Sequence, residues 1–222
     1  CRGMADSACT TGDTHQSGTE RIGGINGMNT SKEEADHMAA YLKCLAEGHE
    51  VEWVFNCSFG PIIDIAEIFC ANYLGHSSAM SKELVERWTA FHEANKDNPK
   101  AKYLHFCHSQ GAIHTRNALK DLPEEIRQRI IVVAIAPAAI VPTELCYKSF
   151  NYASKNDPVP LGEAFFWGET APTKGMDLYQ QLVRLDPHPE ASTFDHEFES
   201  PTFRGLLKER IEEYLTHHGE YD

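Results

Sequence analysis

The six residues Ile130-Ile131-Val132-Val133-Ala134-Ile135 carry no polar side chain, and Pro137 stands just beyond them. Successive side chains of a strand point to opposite sides, so a run of this length and composition has no face to offer water. It must be covered above and below, which is the situation of a central strand in a parallel sheet with helices on both faces. The rest of the chain supplies the partners. Residues 20–30 read as a short buried strand ending in a Gly-rich loop, and residues 51–57, 100–106, 147–154 and 182–185 as further strands. Helical spacing of apolar residues is expected over 31–48, 62–74, 82–94, 110–119 and 201–216.

Local start signals support these helices. Ser31 with Glu34 three residues on forms a capping box. Ser81 opens the 82–94 segment, and Ser200 precedes Pro201 at the first helical position. Strands alternating with helices imply βαβ units with right-handed crossovers. The expected architecture is therefore α/β, a three-layer α/β/α sandwich with a mainly parallel sheet. Residues 1–19 are polar and read as a flexible tail; residues 20–222 read as one domain with no internal repeat.

Charge narrows the partners. The 20 Lys and Arg against 33 Asp and Glu give a net charge of −13, which argues against nucleic acid and disfavours acidic substrates. No run of about 18 apolar residues is present, so no transmembrane helix is expected, and the N-terminus lacks a signal-peptide pattern. A chain beginning at Cys1 reads as a processed or shortened form. Most of the seven cysteines lie in apolar patterns, which fits a reducing compartment such as the cytoplasm; secretion by a route without a visible signal stays open. An oligomer is possible but not indicated.

Chemistry concentrates where the third strand meets the next helix. Cys107-His108-Ser109-Gln110-Gly111 approximates the G-x-S-x-G elbow, in which a strained strand-to-helix turn holds a serine clear of the sheet. Cys107 stands where that pattern has its first glycine. A serine hydroxyl needs a base, and the base needs an orienting group. Asp157 follows the fifth strand and precedes two prolines, making it the preferred acid over Asp186. His196, in the loop before the last helix, is the preferred base over His188. An oxyanion hole is expected from the Gln110 N–H and from the loop after the first strand, with Met28 the preferred donor and Gly27 next. Phe59 and Phe165-Phe166-Trp167 are candidate substrate walls. Cys107 as nucleophile is a competing reading, as is a zinc site at His105, Cys107 and His108; no paired ligand motif accompanies the latter. Neither metal nor cofactor is expected.

The Asn26-Gly27 loop, the Cys-His-Ser-Gln-Gly elbow, the Asn156-Asp157-Pro158-Val159-Pro160 segment and the late histidine come in the order of the α/β-hydrolase superfamily, which the chain resembles over residues 20–216. The resemblance is to its lipase and esterase branches in particular. It implies a compact α/β-hydrolase fold and acyl transfer to water by Ser109, Asp157 and His196. The implied function is a serine hydrolase of carboxylic esters, lipid-like or with a short acyl group. A catalytically silent binding or assembly protein of the same fold is the alternative. The chain also resembles, more distantly, a family of uncharacterised chlamydial proteins, which adds no biochemistry. Strands that usually precede the Gly27 loop strand are missing, so a small sheet is expected.

Overall fold

The computed structural model describes residues 18–57, 78–160 and 178–222; the helix expected over 62–74 and nearly all of the tail lie outside them. Among the described residues six strands form one sheet: β1 (Arg21–Ile25), β2 (Val51–Val54), β3 (Tyr103–His108), β4 (Ile130–Ile135), β5 (Lys148–Ser154) and β6 (Leu182–Leu185). Their order is β2-β1-β3-β4-β5-β6, and every pairing is parallel. The described helices are α1 (Lys32–Leu45), α2 (Ala79–Ala94), α3 (Gly111–Asp121), the single turn α4 (Glu124–Arg127) and α5 (Pro201–Thr216).

The apolar run that demanded two covers receives them. Ile130, Val132 and Ala134 of β4 join Leu84, Trp88 and Phe91 of α2 and Ala112 and Leu119 of α3 in one core. Ile131, Val133 and Ile135 face the other way, onto Leu42 of α1 and Phe203, Leu207, Ile211 and Tyr214 of α5. β3 alternates in the same manner, with Tyr103 and Cys107 on the α2/α3 side and Leu104 and Phe106 on the α1/α5 side. Each large side chain so enclosed contributes roughly 1.5–3 kcal/mol, so these two cores are what hold the three layers together.

Several element ends depart from expectation; α1 stops at Leu45 and α3 runs from Gly111 to Asp121, and for others a local partner is visible. α2 begins at Ala79 because Ser78, not Ser81, is its cap: Ser78 Oγ accepts from the Ser81 N–H, while Ser81 Oγ donates to the His114 carbonyl. β3 starts at Tyr103 and runs on to His108. Before it, the Lys102 N–H donates to Gly219 O and Ala101 bridges antiparallel to Glu220, so the C-terminal segment takes the place of ladder partners there. β2 stops at Val54, and beyond it the Asn56 N–H turns to the Asn26 side chain. β5 begins at Lys148, one residue later than expected.

The strand order reverses direction between β1 and β3: the chain steps outward from β1 to β2, then crosses back. Such a switch point leaves a crevice beyond the carboxyl ends of the two strands. The Gly27 loop follows β1 and Ser109 follows β3, so the topology alone brings them to the crevice together. Helix α3 must pass very close to β1 there. A Cβ placed on Gly111 would stand 2.8 Å from both Ile25 O and Asn26 O, and backbone atoms cannot swing away. Gly111→Ala should therefore lower the unfolding free energy by about 1–3 kcal/mol in urea denaturation; an unchanged midpoint would contradict this packing.

Candidate active site

Ser109 has φ of +50°, a left-handed conformation that costs a non-glycine residue about 1–3 kcal/mol. The strain is offset by a full set of backbone partners: the Ser109 N–H donates to Ile135 O at 3.2 Å, and Ser109 O accepts from Ala112 N–H at 3.1 Å and Ala138 N–H at 3.0 Å. The turn lifts the hydroxyl off the sheet at the start of α3. His196 Nε2 lies 3.0 Å from Ser109 Oγ, and His196 Nδ1 lies 2.8 Å from Asp157 Oδ2. Asp157 is fully buried, and its second oxygen accepts from the Val159 N–H at 2.9 Å. That contact fixes the carboxylate plane, so the acid can orient the imidazole rather than rotate with it.

The competing residues stand elsewhere. Asp186 is exposed at the end of β6 and pairs with Lys155 at 2.7 Å. His188 is exposed, with its N–H on Thr202 Oγ1 and its ring accepting from the Glu190 N–H.

On the opposite side of Ser109 stands the loop after β1. A Cβ on Gly27 would be 2.8 Å from Ser109 Cβ and 3.4 Å from its Oγ, so only glycine leaves the hydroxyl its room. The buried Asn26 shapes this loop: its Nδ2 donates to Gly27 O and Asn56 O, and its Oδ1 accepts from the Asn56 N–H and from Trp53 Nε1. Asn56 Nδ2 in turn donates to Gln110 Oε1 at 2.8 Å. The side chain of the residue after Ser109 is thus tied to the same network as the Gly27 loop. Among the described residues, neither the Gln110 N–H nor the Met28 N–H is bound to an acceptor.

Cys107 points away from the hydroxyl. It is fully buried in the α2/α3 core, and burial pushes its thiol up to about 12 despite a hydrogen bond with Thr115. His105 is equally buried, with Nε2 2.9 Å from Thr115 Oγ1 and its ring edge-on to Trp88 at 5.0 Å. Burial, with the Arg87 charge adding, holds it down at about 3. His108 emerges on the other face, so the three residues of the zinc reading do not converge, and among the described residues no group of three or more potential ligands could hold a metal ion.

Two groups have no sequence motif to announce them. Asp195 is buried with φ of +47° immediately before His196. Its carboxylate accepts from Ser200 Oγ and from Thr202 Oγ1, and its N–H donates to Ser192 Oγ. Burial acts to raise its pKa, but hydrogen bonds from Ser200, Thr202 and Ser154 outweigh that and hold it below the ordinary value. The turn carrying His196 is thereby fastened to the N-terminus of α5. The second group is His108, whose Nε2 lies 2.8 Å from the His196 carbonyl oxygen.

His108 and His196 open onto a cleft of about 590 Å³ that also takes in Glu33, Glu34, His37, Glu197 and Glu199. Its lining carries four carboxylates and three imidazoles, with no Lys or Arg, so with neutral imidazoles its field is negative. The wall candidates Phe59, Phe165, Phe166 and Trp167 lie outside the described residues. No described helix is long and apolar enough to cross a membrane.

This all-parallel six-stranded sheet with flanking helices is an α/β-hydrolase fold. Among solved structures, the chain is similar to the crystal structure of dienelactone hydrolase from Anabaena variabilis, with a TM-score of 0.50 at 16% identity, covering 90% of this chain and 88% of that one. At that identity the likeness is one of fold. The sequence matches no protein-family model and no curated protein.

Two consequences are measurable. In the native protein Cys107 should resist iodoacetamide at pH 8 while exposed Cys44 reacts; peptide mass spectrometry showing equal modification of the two would place the thiol outside the core. His105, His108 and His114 are pushed down by burial to about 3, 3 and 4 from 6.5. Unfolding returns each to its ordinary value, so the unfolded chain binds more protons below pH 6.5. Their contribution to stability is complete above 6.5 and is lost progressively as pH falls through about 4 to about 3. Urea unfolding across that range should show net proton uptake; a flat profile would contradict neutral burial.

Proposed function

We propose that this chain is a serine hydrolase of carboxylic esters. The single observation that carries the reading is the continuous hydrogen-bonded line from Asp157 through His196 to a serine hydroxyl held in a left-handed turn. Ser109 Oγ attacks the ester carbonyl carbon while His196 Nε2 takes its proton. Asp157 holds Nδ1–H and stabilises the imidazolium that forms. The carbonyl oxygen, now carrying charge, sits between the Gln110 and Met28 N–H groups, where fixed donors cost no reorganisation. His196 then passes the proton to the departing alkoxide, leaving an acyl-Ser109. A water, deprotonated by the same imidazole, attacks that carbonyl, and the acid is released with Ser109 restored.

Substrate class follows from the lining. A short acyl or lipid-like neutral ester meets no electrostatic penalty in the acidic cleft, whereas one bearing a carboxylate does. Electrostatic exclusion of this kind acts on approach and is screened by salt.

Three results are expected. A fluorophosphonate probe labels the wild type and not Ser109→Ala; absence of wild-type labelling, or labelling that survives the substitution, overturns the enzyme reading. Asp157→Asn lowers kcat on p-nitrophenyl butyrate by about 10⁴-fold, since the wrong histidine tautomer is then favoured. An ester ending in a carboxylate shows about tenfold lower kcat/KM than its neutral equal-length counterpart at low salt, and the gap narrows near 0.5 M salt. A gap that is absent, or insensitive to salt, removes the electrostatic account of the cleft.

A further inference from the structure

We propose that His108 is a positioning residue that holds the backbone of His196 in register with Ser109, as an uncharged donor. This rests on the hydrolase reading of the same site. Its basis begins with the period of β3: Cys107 enters the α2/α3 core, so His108 must emerge on the α1/α5 face, beneath the loop that precedes α5. There its Nε2 lies 2.8 Å from the His196 carbonyl oxygen. A carbonyl only accepts, so Nε2 carries the proton, and Nδ1 is the bare nitrogen of a neutral ring.

The ring has three neighbours in the site. It is covalently next to Ser109, it stands 5.0 Å from the His196 ring, and a Cβ on Gly27 would come within 3.3 Å of its Nδ1. Phe198 packs edge-on to it at 5.9 Å, closing it from the far side. One residue therefore borders the elbow, the loop that carries His196 and the loop after β1.

Neutrality is part of the role. Burial pushes His108 down to about 3, with repulsion from His196 acting in the same direction. When His196 becomes an imidazolium during the reaction, a second positive ring at 5.0 Å would oppose it; a ring that stays neutral supplies the hydrogen bond without that repulsion.

Two substitutions separate position from mere packing. His108→Phe keeps a ring and loses the donor; His108→Gln loses the ring and keeps an N–H at the position of Nε2. On a neutral p-nitrophenyl ester, Phe should lower kcat by about 10- to 100-fold with KM within about twofold, because small displacements of a catalytic group cost rate rather than binding. Gln should recover kcat to within about threefold of wild type, whatever its melting temperature. Equal kcat in wild type and Phe, or equal losses in Phe and Gln, overturns the proposal. Should either variant fail to fold, the wild type decides: with ¹⁵N-labelled histidine, His108 should show the Nε2–H tautomer and no titration between pH 5 and 8. The other tautomer, or titration in that range, overturns it. Wild type without Ser109-dependent turnover would refute the hydrolase reading instead, and the tautomer measurement would still report on His108.

Discussion

The constraint on which the rest depends is a contact between backbones. Helix α3 leaves Ser109 so close to the end of β1 that Gly111 sits where any Cβ would press on two carbonyl oxygens. This closeness is what places the Gly27 loop against the hydroxyl and lets a serine in a left-handed turn look outward. The glycine that a G-x-S-x-G elbow carries before its serine is not needed here for the same purpose. Cys107 occupies that place, and its side chain enters the core on the α2/α3 side, in the cluster that also holds Trp88 and Ala112. The close approach is made on the helix side of the turn, and the strand side has room for a small thiol.

Around that contact the protein spends buried polarity in an ordered way. Burying an unpaired amide costs on the order of 1–3 kcal/mol, yet Asn26, Asn56 and Gln110 are all buried. Each satisfies another, and together they join the end of β2, the loop after β1 and the first residue after Ser109. Asp195 repeats the pattern on the other side of the crevice with Ser192, Ser200 and Thr202. The candidate catalytic groups are thus borne by short loops, but each loop is cross-linked to a strand end or a helix cap, which is how loops acquire the precision of regular elements.

Sequence reasoning reached the layers because period and composition are local. β4, β6 and α5 begin and end where expected, since apolar runs and the Ser200-Pro201 cap mark them. Ser109, Asp157 and His196 lie within hydrogen-bonding distance in a line, and their positions were legible because strand-end logic on a parallel sheet is nearly one-dimensional. Sequence reasoning failed where a decision lies between equivalents or across distance. Ser78 and Ser81 are both good caps, and only the partner His114 carbonyl decides which one caps. The end of β3 at His108 is set by its pairing with Ile135 of β4, and the tie from His108 to His196 reaches a loop 88 residues away, which no window along the chain contains. Cys107 was ambiguous in sequence for the opposite reason: its identity was visible, but the face it takes depends on register.

That register has an evolutionary reading. Along β3 the side chains at 105 and 107 belong to one layer and those at 106 and 108 to the other, and both assignments are fixed by pairing with β1 and β4. Inserting or deleting one residue in this strand would exchange the faces. A thiol would then lie under the histidine loop, and the His105 imidazole would leave the indole of Trp88 on which it now packs. Substitutions can adjust this site by degrees, whereas a change of length in β3 acts on it as a single step. The cleft walls can therefore vary residue by residue, whereas a change in the length of the strand that delivers Ser109 would part it from His196 and Asp157 at once.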